Sequence, residues 1–310
     1  MGRLRKTMED PRAAMAWAFR KTKMMWSDEQ YLKILYRLFY GEKLHLDNPV
    51  KYSEKMQWLK LYHRKPIFTQ MVDKYAVKKI VADKIGEEYV IPCYGVWDSF
   101  DEIDFDKLPD QFCLKCTHDS GSFVICKDKT TFDIAAAKER LERNLNKNFF
   151  YEFREWPYKG VKARILAEKF EPSLGNIDSE EYKLTCCDGE VKAITVCGGV
   201  PHADYSLRSN DTFTKDWERQ DWYAYYKPKG GDIKKPEQMD TIVALSEKLS
   251  EGIPYVRVDW YIIDGKPYFG EFTFYTWAGF LKFTPPPLGL QAWRVGTSPH
   301  CGRQKVILNS

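Results

Sequence analysis

Alternation of apolar and polar positions is clearest across residues 256–274, VRVDWYIIDGKPYFGEFTF. β-Branched and aromatic residues flank Asp264-Gly265, which predicts two strands joined by a tight turn. Three charges interrupt the pattern: Arg257, Asp259 and Glu271. Strand side chains alternate between faces, so Arg257 and Asp259 share one face, as do Glu271 and Thr273. The turn decides whether the two sets meet. A two-residue loop pairs Asp259 with Gly270 and sends Glu271 to the opposite face. A three-residue loop over residues 263–265 pairs Arg257 with Glu271 and gathers all three charges on one face. Spacing alone favours an Arg257–Glu271 cross-strand pair, with Asp259 at the solvent edge, over a divalent-cation site.

Elsewhere the periodicity switches between helix and strand. Residues 12–26 form a basic amphipathic segment. Ser27 or Asp28 caps a helix that stops at Gly41, and Asn48-Pro49 opens another whose apolar stripe is Trp58, Leu59 and Leu61. Asp73-Lys74-Tyr75 starts a helix carrying Val77, Ile80 and Val81, ending at Gly86. Residues 89–97 read as strand, with Pro92 marking an edge. Two β-rich runs in residues 112–127 flank a small polar loop, residues 117–122. A helix is expected over 131–149, strands over 164–170, 182–185 and 191–196, and a turn at Asp188-Gly189. Residues 202–229 are polar, rich in Trp and Tyr, and read as a long loop. Residues 236–251 are a helix leading into the hairpin. After Pro287 periodicity disappears, so the tail is expected to be a disordered or non-native extension and is set apart from the fold.

Composition narrows the class of partner. The formal net charge is +4 over 310 residues, which argues against a dedicated nucleic-acid binder. Most of the eight cysteines sit in apolar or strand-like runs, where a free thiol behaves as a small hydrophobe. Cys113-x-x-Cys116 has metal-ligand spacing but lacks a second pair, so a reducing cytosolic setting is expected. Apolar runs stay short of the ~18 residues that span a bilayer, and no signal peptide is seen. Residues 12–26 are expected to dock on their own domain, with an anionic membrane surface as the alternative. Free backbone N–H groups in the 117–122 loop suit phosphate, with Lys115 just before it, although most such loops are simple turns. His118 reads as a polar loop residue and Lys183 as part of a solvated strand face.

Five strings in order, DKYAVKKIV, IPCYGVWDSFDEIDFDKLPDQFCLKCTHDSGS, ILAEKF, EYKLTCCDGEVKAI and the hairpin, resemble the TupA-like ATP-grasp family of bacterial surface-polysaccharide and teichuronopeptide biosynthesis. The resemblance implies an α+β ATP-grasp fold, two α+β lobes clasping ATP, with a helical N-terminal extension. Its parts would be a basic helical region at 1–47, an N-terminal and phosphate-loop lobe at 48–160, a C-terminal lobe with the metal hairpin at 161–287, and the tail at 288–310. It implies that Lys74 and Lys115 bind phosphate and that Ser120, Gly121 and Ser122 tip the phosphate loop. Glu168, Lys169 and Phe170 would form the hinge at adenine, and Lys183 another phosphate-facing group. Asp259 and Glu271 match the Mg²⁺ carboxylates, with Thr273 where many ATP-grasp enzymes carry the Asn of Glu-x-Asn. Arg257 matches the residue facing the substrate carboxylate or the transferring phosphoryl, so Arg257 and Lys115 are the catalytic expectation. The resemblance also selects the three-residue turn.

The implied activity is an ATP- and Mg²⁺-dependent carboxylate–amine ligase working through an acyl phosphate. Its substrates would be a small-molecule or lipid-linked glycan carboxylate and an amine. A cytoplasmic protein is expected, peripheral at the inner membrane face through residues 12–26, with no nucleic-acid partner. The alternative is a glycosyltransferase using a nucleotide-sugar donor, with Trp217, Trp222 and Tyr223 as sugar platforms.

Overall fold

The computed structural model describes residues 11–172, 180–199, 208–285 and 287; the tail beyond residue 287 lies outside them. Two antiparallel sheets organise the chain. The first has four strands in the order β1-β4-β2-β3: β1 (Cys93–Trp97), β2 (Phe112–Cys116), β3 (Phe123–Cys126) and β4 (Ile165–Lys169). Pro92 thus precedes an edge strand, as expected. β4 enters between β1 and β2, so this sheet takes a strand from beyond residue 160. Helix α6 (Ile134–Leu145), capped by the Asp133 side chain, covers it with Ala137 and Leu141.

The second sheet has five strands, β10-β9-β5-β6-β7. Here β5 (Glu181–Cys187) and β6 (Glu190–Gly198) meet at Asp188-Gly189, whose φ values of 52° and 81° are those of a primed hairpin turn. β9 (Tyr255–Ile263) is central, between β5 and β10 (Lys266–Thr273). Helix α8 (Met239–Ser250) packs behind, where the Trp260 indole donates to the Ser246 hydroxyl at 2.8 Å. The stretch expected to be a long loop contains, among the described residues, β7 (Ser209–Phe213) and β8 (Tyr223–Ala224), the latter paired with β11 (Phe283–Thr284). Asp211, almost fully buried, organises that stretch: it pairs with Arg219 and accepts the Lys229 and Gly230 amides.

The N-terminal helices dock as the capping signals predict. α1 (Pro11–Arg20) lies against α2 (Asp28–Tyr40), which Ser27 opens with a capping box and Gly41 closes in left-handed conformation. Arg20 and Lys23 both pair with Glu152, on the short helix α7 (Phe150–Phe153). α2 also reaches the chain's far end: Phe39 packs on Phe280 at 4.7 Å between ring centroids, and the Tyr40 hydroxyl donates to Leu281 O across 241 positions. One helix departs from expectation. α3 (Tyr52–Tyr62) starts at the Lys51 cap rather than at Asn48-Pro49 and is buried almost all round, with Glu54, Lys55, Gln57 and Lys60 among the buried side chains. Surrounding partners, not an apolar stripe, hold it. α4 (Ile67–Val72) and α5 (Ala76–Ile85) lead from it to the first sheet.

Candidate functional site

The hairpin solves its register differently from the expected three-residue turn. Ile263 pairs with Lys266, so the loop is only Asp264-Gly265, at φ 48° and 74°. The pattern then shifts: Phe269 faces Trp260, but Phe272 faces Val258 and Thr273 faces Arg257. Gly270 and Glu271 therefore lie opposite Asp259 as a β-bulge, and the extra residue returns Glu271 to the face of Arg257 and Asp259. Gly270 is suited to the bulge, since a Cβ there would stand 3.1 Å from Asp259 O and 3.0 Å from the Tyr261 ring.

Arg257 ties this face together. Its Nε and Nη2 donate to the two Asp259 carboxylate oxygens at 2.6 Å each. The same Nη2 donates to Thr273 Oγ1 at 3.0 Å and lies 3.6 Å from Glu271 Oε1. Lys183 is half-buried at the cavity wall rather than on an open strand face, 3.2 Å from Asp259 and 2.9 Å from Glu181. Burial disfavours the Asp259 charge, yet Arg257 and Lys183 hold its carboxyl below the usual range. Burial likewise works against the Lys183 charge, but Asp259 and Glu181 outweigh it and raise its pKa.

A second set of charges lies on the four-stranded sheet. Glu168 is buried and clasped by Lys115 on β2 and by Lys78 on α5, the latter at 2.6 Å. Lys78 lies in the string DKYAVKK, in the first turn of α5, but is not among the expected site residues. The carboxylate expected at adenine therefore holds two lysines. Lys169 turns outward to Glu171 at 2.6 Å, and Phe170 is half-buried beyond the strand end. Lys74 donates to Asp119 O, and burial lowers its pKa while Asp119 and Glu271 oppose that shift.

In the 117–122 loop only Ser120 and Gly121 are exposed. Ser122, expected at the tip, is a buried strut: its hydroxyl donates to Asp119 at 2.5 Å and accepts from the Cys116 amide at 3.3 Å. His118 is structural as expected, its Nε2 lying 3.0 Å from Lys147 O. The seven described cysteines are free.

The two sets converge. The Glu271 charge acts on both Lys74, in the turn before α5, and Lys115, on β2 of the other sheet. Ser120 at the loop tip lines the same 330 Å³ cavity as Lys183, Arg257, Trp222 and Trp277. Asp259, Glu271 and Thr273 also fit a hard divalent cation, because one cationic nitrogen of Arg257 is already surrounded by an oxygen from each. Among the described residues no group of three or more His, Cys, Asp or Glu side chains forms a metal cluster.

Comparison with known proteins gives one family. The model of the TupA-like ATP-grasp family matches residues 54–288. No curated protein matches the chain. Similar solved structures include the D-alanine–D-alanine ligase of Bacillus anthracis complexed with ATP, at 16% identity and TM-score 0.36, covering 71% of this chain and 56% of that one. The corresponding ligase of Helicobacter pylori matches at 13% identity and TM-score 0.40, covering 80% and 70%. The ATP-grasp ligase PsnB, complexed with its minimal precursor, Mg and ADP, matches at 12% identity and TM-score 0.38, covering 72% and 57%. The chain thus spans little more than half the length of the Bacillus anthracis ligase.

Proposed function

Because the chain belongs to the TupA-like ATP-grasp family, we propose that it is an ATP- and Mg²⁺-dependent carboxylate–amine ligase of bacterial surface-polysaccharide biosynthesis. The observation that carries the reading is the meeting of loop-tip Ser120 with Lys183 and Arg257 around one cavity, beside the Asp259 and Glu271 carboxylates. Bound Mg-ATP would supply a phosphoryl group that activates a carboxylate toward an amine, a chemistry that asks the protein for positioning and charge rather than a nucleophile.

The residues divide that work. Lys74, Lys115 and Lys183 supply positive charge for phosphate oxygens. Asp259 and Glu271, with Thr273 adjoining, would hold Mg²⁺. Arg257, held on one edge by Asp259, would orient the substrate carboxylate. Ser120 and Gly121 offer an open, adaptable loop tip, since a Cβ on Gly121 would meet nothing within 4 Å. Glu168 holds the Lys115 ammonium by an ion pair. The substrate that suits the family is an acidic glycan, soluble or lipid-linked. Peripheral contact with the inner membrane face is supported by α1 and the turn after it, which leave Met15, Trp17, Met24 and Met25 more than half exposed.

The glycosyltransferase alternative loses most of its support. Of the three aromatic residues expected to be sugar platforms, Trp217 is stacked on Phe213 and donates to Ile233 O at 3.0 Å, and Tyr223 pairs in β8. Only Trp222 of the three lines the cavity. The chain's one Asp-x-Asp string, Asp104-Phe105-Asp106, caps its own turn, where Asp104 accepts the Asp106 amide at 3.2 Å.

A thermal-shift comparison of Mg-ATP with Mg-UDP-sugars tests the reading. Ligand at about a hundredfold over its Kd stabilises the native state by ~2.7 kcal/mol. A Mg²⁺-dependent shift with ATP alone is expected. A shift with a UDP-sugar and none with ATP would overturn the ligase.

A further inference from the structure

The turn after the hairpin carries an unusual backbone. Trp277 (φ 52°, ψ 42°) and Ala278 (φ 52°, ψ 30°) are both left-handed, a costly conformation for residues with a Cβ. Buried polar groups of α3 hold it. Lys60, which has no exposure, donates from Nζ to Ala278 O at 2.7 Å and to Phe153 O at 2.9 Å. Gln57 donates to Gly279 O at 3.0 Å. These contacts account for Gln57 and Lys60 inside α3, and their result is the display of one side chain. Trp277 is 45% exposed and stacks on Tyr225 at 3.9 Å and 22°. Tyr225 is itself left-handed at φ 67° and 59% exposed. Two aromatic residues in disfavoured conformations form one exposed stack at the rim of the cavity that Arg257 lines.

We propose that Trp277 is the platform on which the carboxylate substrate stacks its ring, and that this substrate is a sugar acid whose carboxylate meets Arg257. The proposal rests on the ligase reading with its acidic-glycan substrate and adds the residue that seats the sugar ring. A sugar ring presents a C–H face to an aromatic plane and a rim of hydroxyls to polar groups. The cavity supplies both: Trp222 and Trp277 as planes, Thr195 and Asn210 as hydroxyl and amide partners. A small amino acid carboxylate would leave the aromatic wall in water, and a flat aromatic acid would leave the hydroxyl and amide partners unused. At 330 Å³ the cavity falls within the ~300–1,000 Å³ usual for small ligands.

Calorimetric titration in saturating Mg-AMPPNP tests it, using methyl glucuronide, methyl glucoside and D-alanine as probes. Methyl glucuronide is expected to bind more tightly than the other two. Trp277→Ala should weaken it about tenfold while Trp277→Phe largely keeps it, the loss of a favourable ring contact. Both variants should retain the Mg-ATP thermal shift and the wild-type melting midpoint. Unchanged methyl glucuronide affinity in Trp277→Ala overturns the platform. D-Alanine binding as tightly as methyl glucuronide, or methyl glucuronide failing to bind while Mg-ATP binds, overturns the substrate class. Absence of Mg-ATP binding in the wild type instead overturns the ligase reading on which the proposal stands.

Discussion

Glu168 serves two lysines at once, and its charge therefore matters to the fold as well as to the site. Burial alone would raise its pKa, but Lys115 and Lys78 hold it below the ordinary carboxylate range. A folded value below the unfolded one means that its contribution is fully present above about pH 4.3 and is lost as pH falls through the folded value. Glu168→Gln leaves two lysines facing a neutral amide. It is expected to cost about 3 kcal/mol near pH 7, the low end for a broken buried pair because both lysines keep some contact with water. It should also narrow the stability gap between pH 7 and about pH 3.5, as read from urea midpoints. A variant as acid-sensitive as the wild type would remove Glu168 from that role. At this scale the strings resembling the family pointed to Lys74, Lys115, Lys183, Arg257 and Asp259 as expectations. The sequence did not reveal Lys78 or Lys60, because a lysine on a helix looks like a solvated charge until the partners that bury it are known.

Among the elements, the hairpin depends on Gly270 as much as on its turn. Gly270→Ala places a methyl within about 3 Å of Asp259 O and the Tyr261 ring. The expected cost is ~1–3 kcal/mol from overpacking, with weaker Mg²⁺ dependence of the ATP thermal shift because Glu271 moves. Unchanged stability and Mg²⁺ dependence would show that the bulge tolerates a side chain and does not set the metal face. Asp264-Gly265 was readable as a primed turn. The bulge was not, since a glycine within a strand pattern marks either a bulge or a close approach and does not say which. The three-residue turn that the resemblance selected thus gave the right face for the wrong reason. The limit is similar for α3: its burial on all sides follows from neighbours far along the chain, which no local stripe encodes.

For the molecule as a whole, the insertion of β4 between β1 and β2 and the meeting of the two charge sets lie beyond periodicity, because both depend on which distant strands pair. Between Pro11 and Ser27 the sequence holds Arg12, Arg20, Lys21 and Lys23 and no acidic residue. The exposed apolar groups there include Met15 at 58%, Met24 at 68% and Met25 at 79%, with Trp17 at 57% beneath the Lys21 ammonium. Co-sedimentation with phosphatidylglycerol vesicles is expected, weaker in high salt and on phosphatidylcholine, and lost in Met24→Glu/Met25→Glu with the melting midpoint unchanged. Self-association abolished by the same double substitution would instead make this face a contact between two copies.

The Tyr40–Leu281 hydrogen bond carries a consequence for how the molecule is made. Its partners are 241 positions apart, so helix α2 leaves the ribosome long before the turn it packs against has been synthesised. Closing so long a loop is an entropic cost met late, and such high contact order slows folding. Helix α2 is thus completed by a turn made much later, and a nascent chain interrupted before Phe280 would carry an α2 whose Phe39 and Tyr40 still lack these partners.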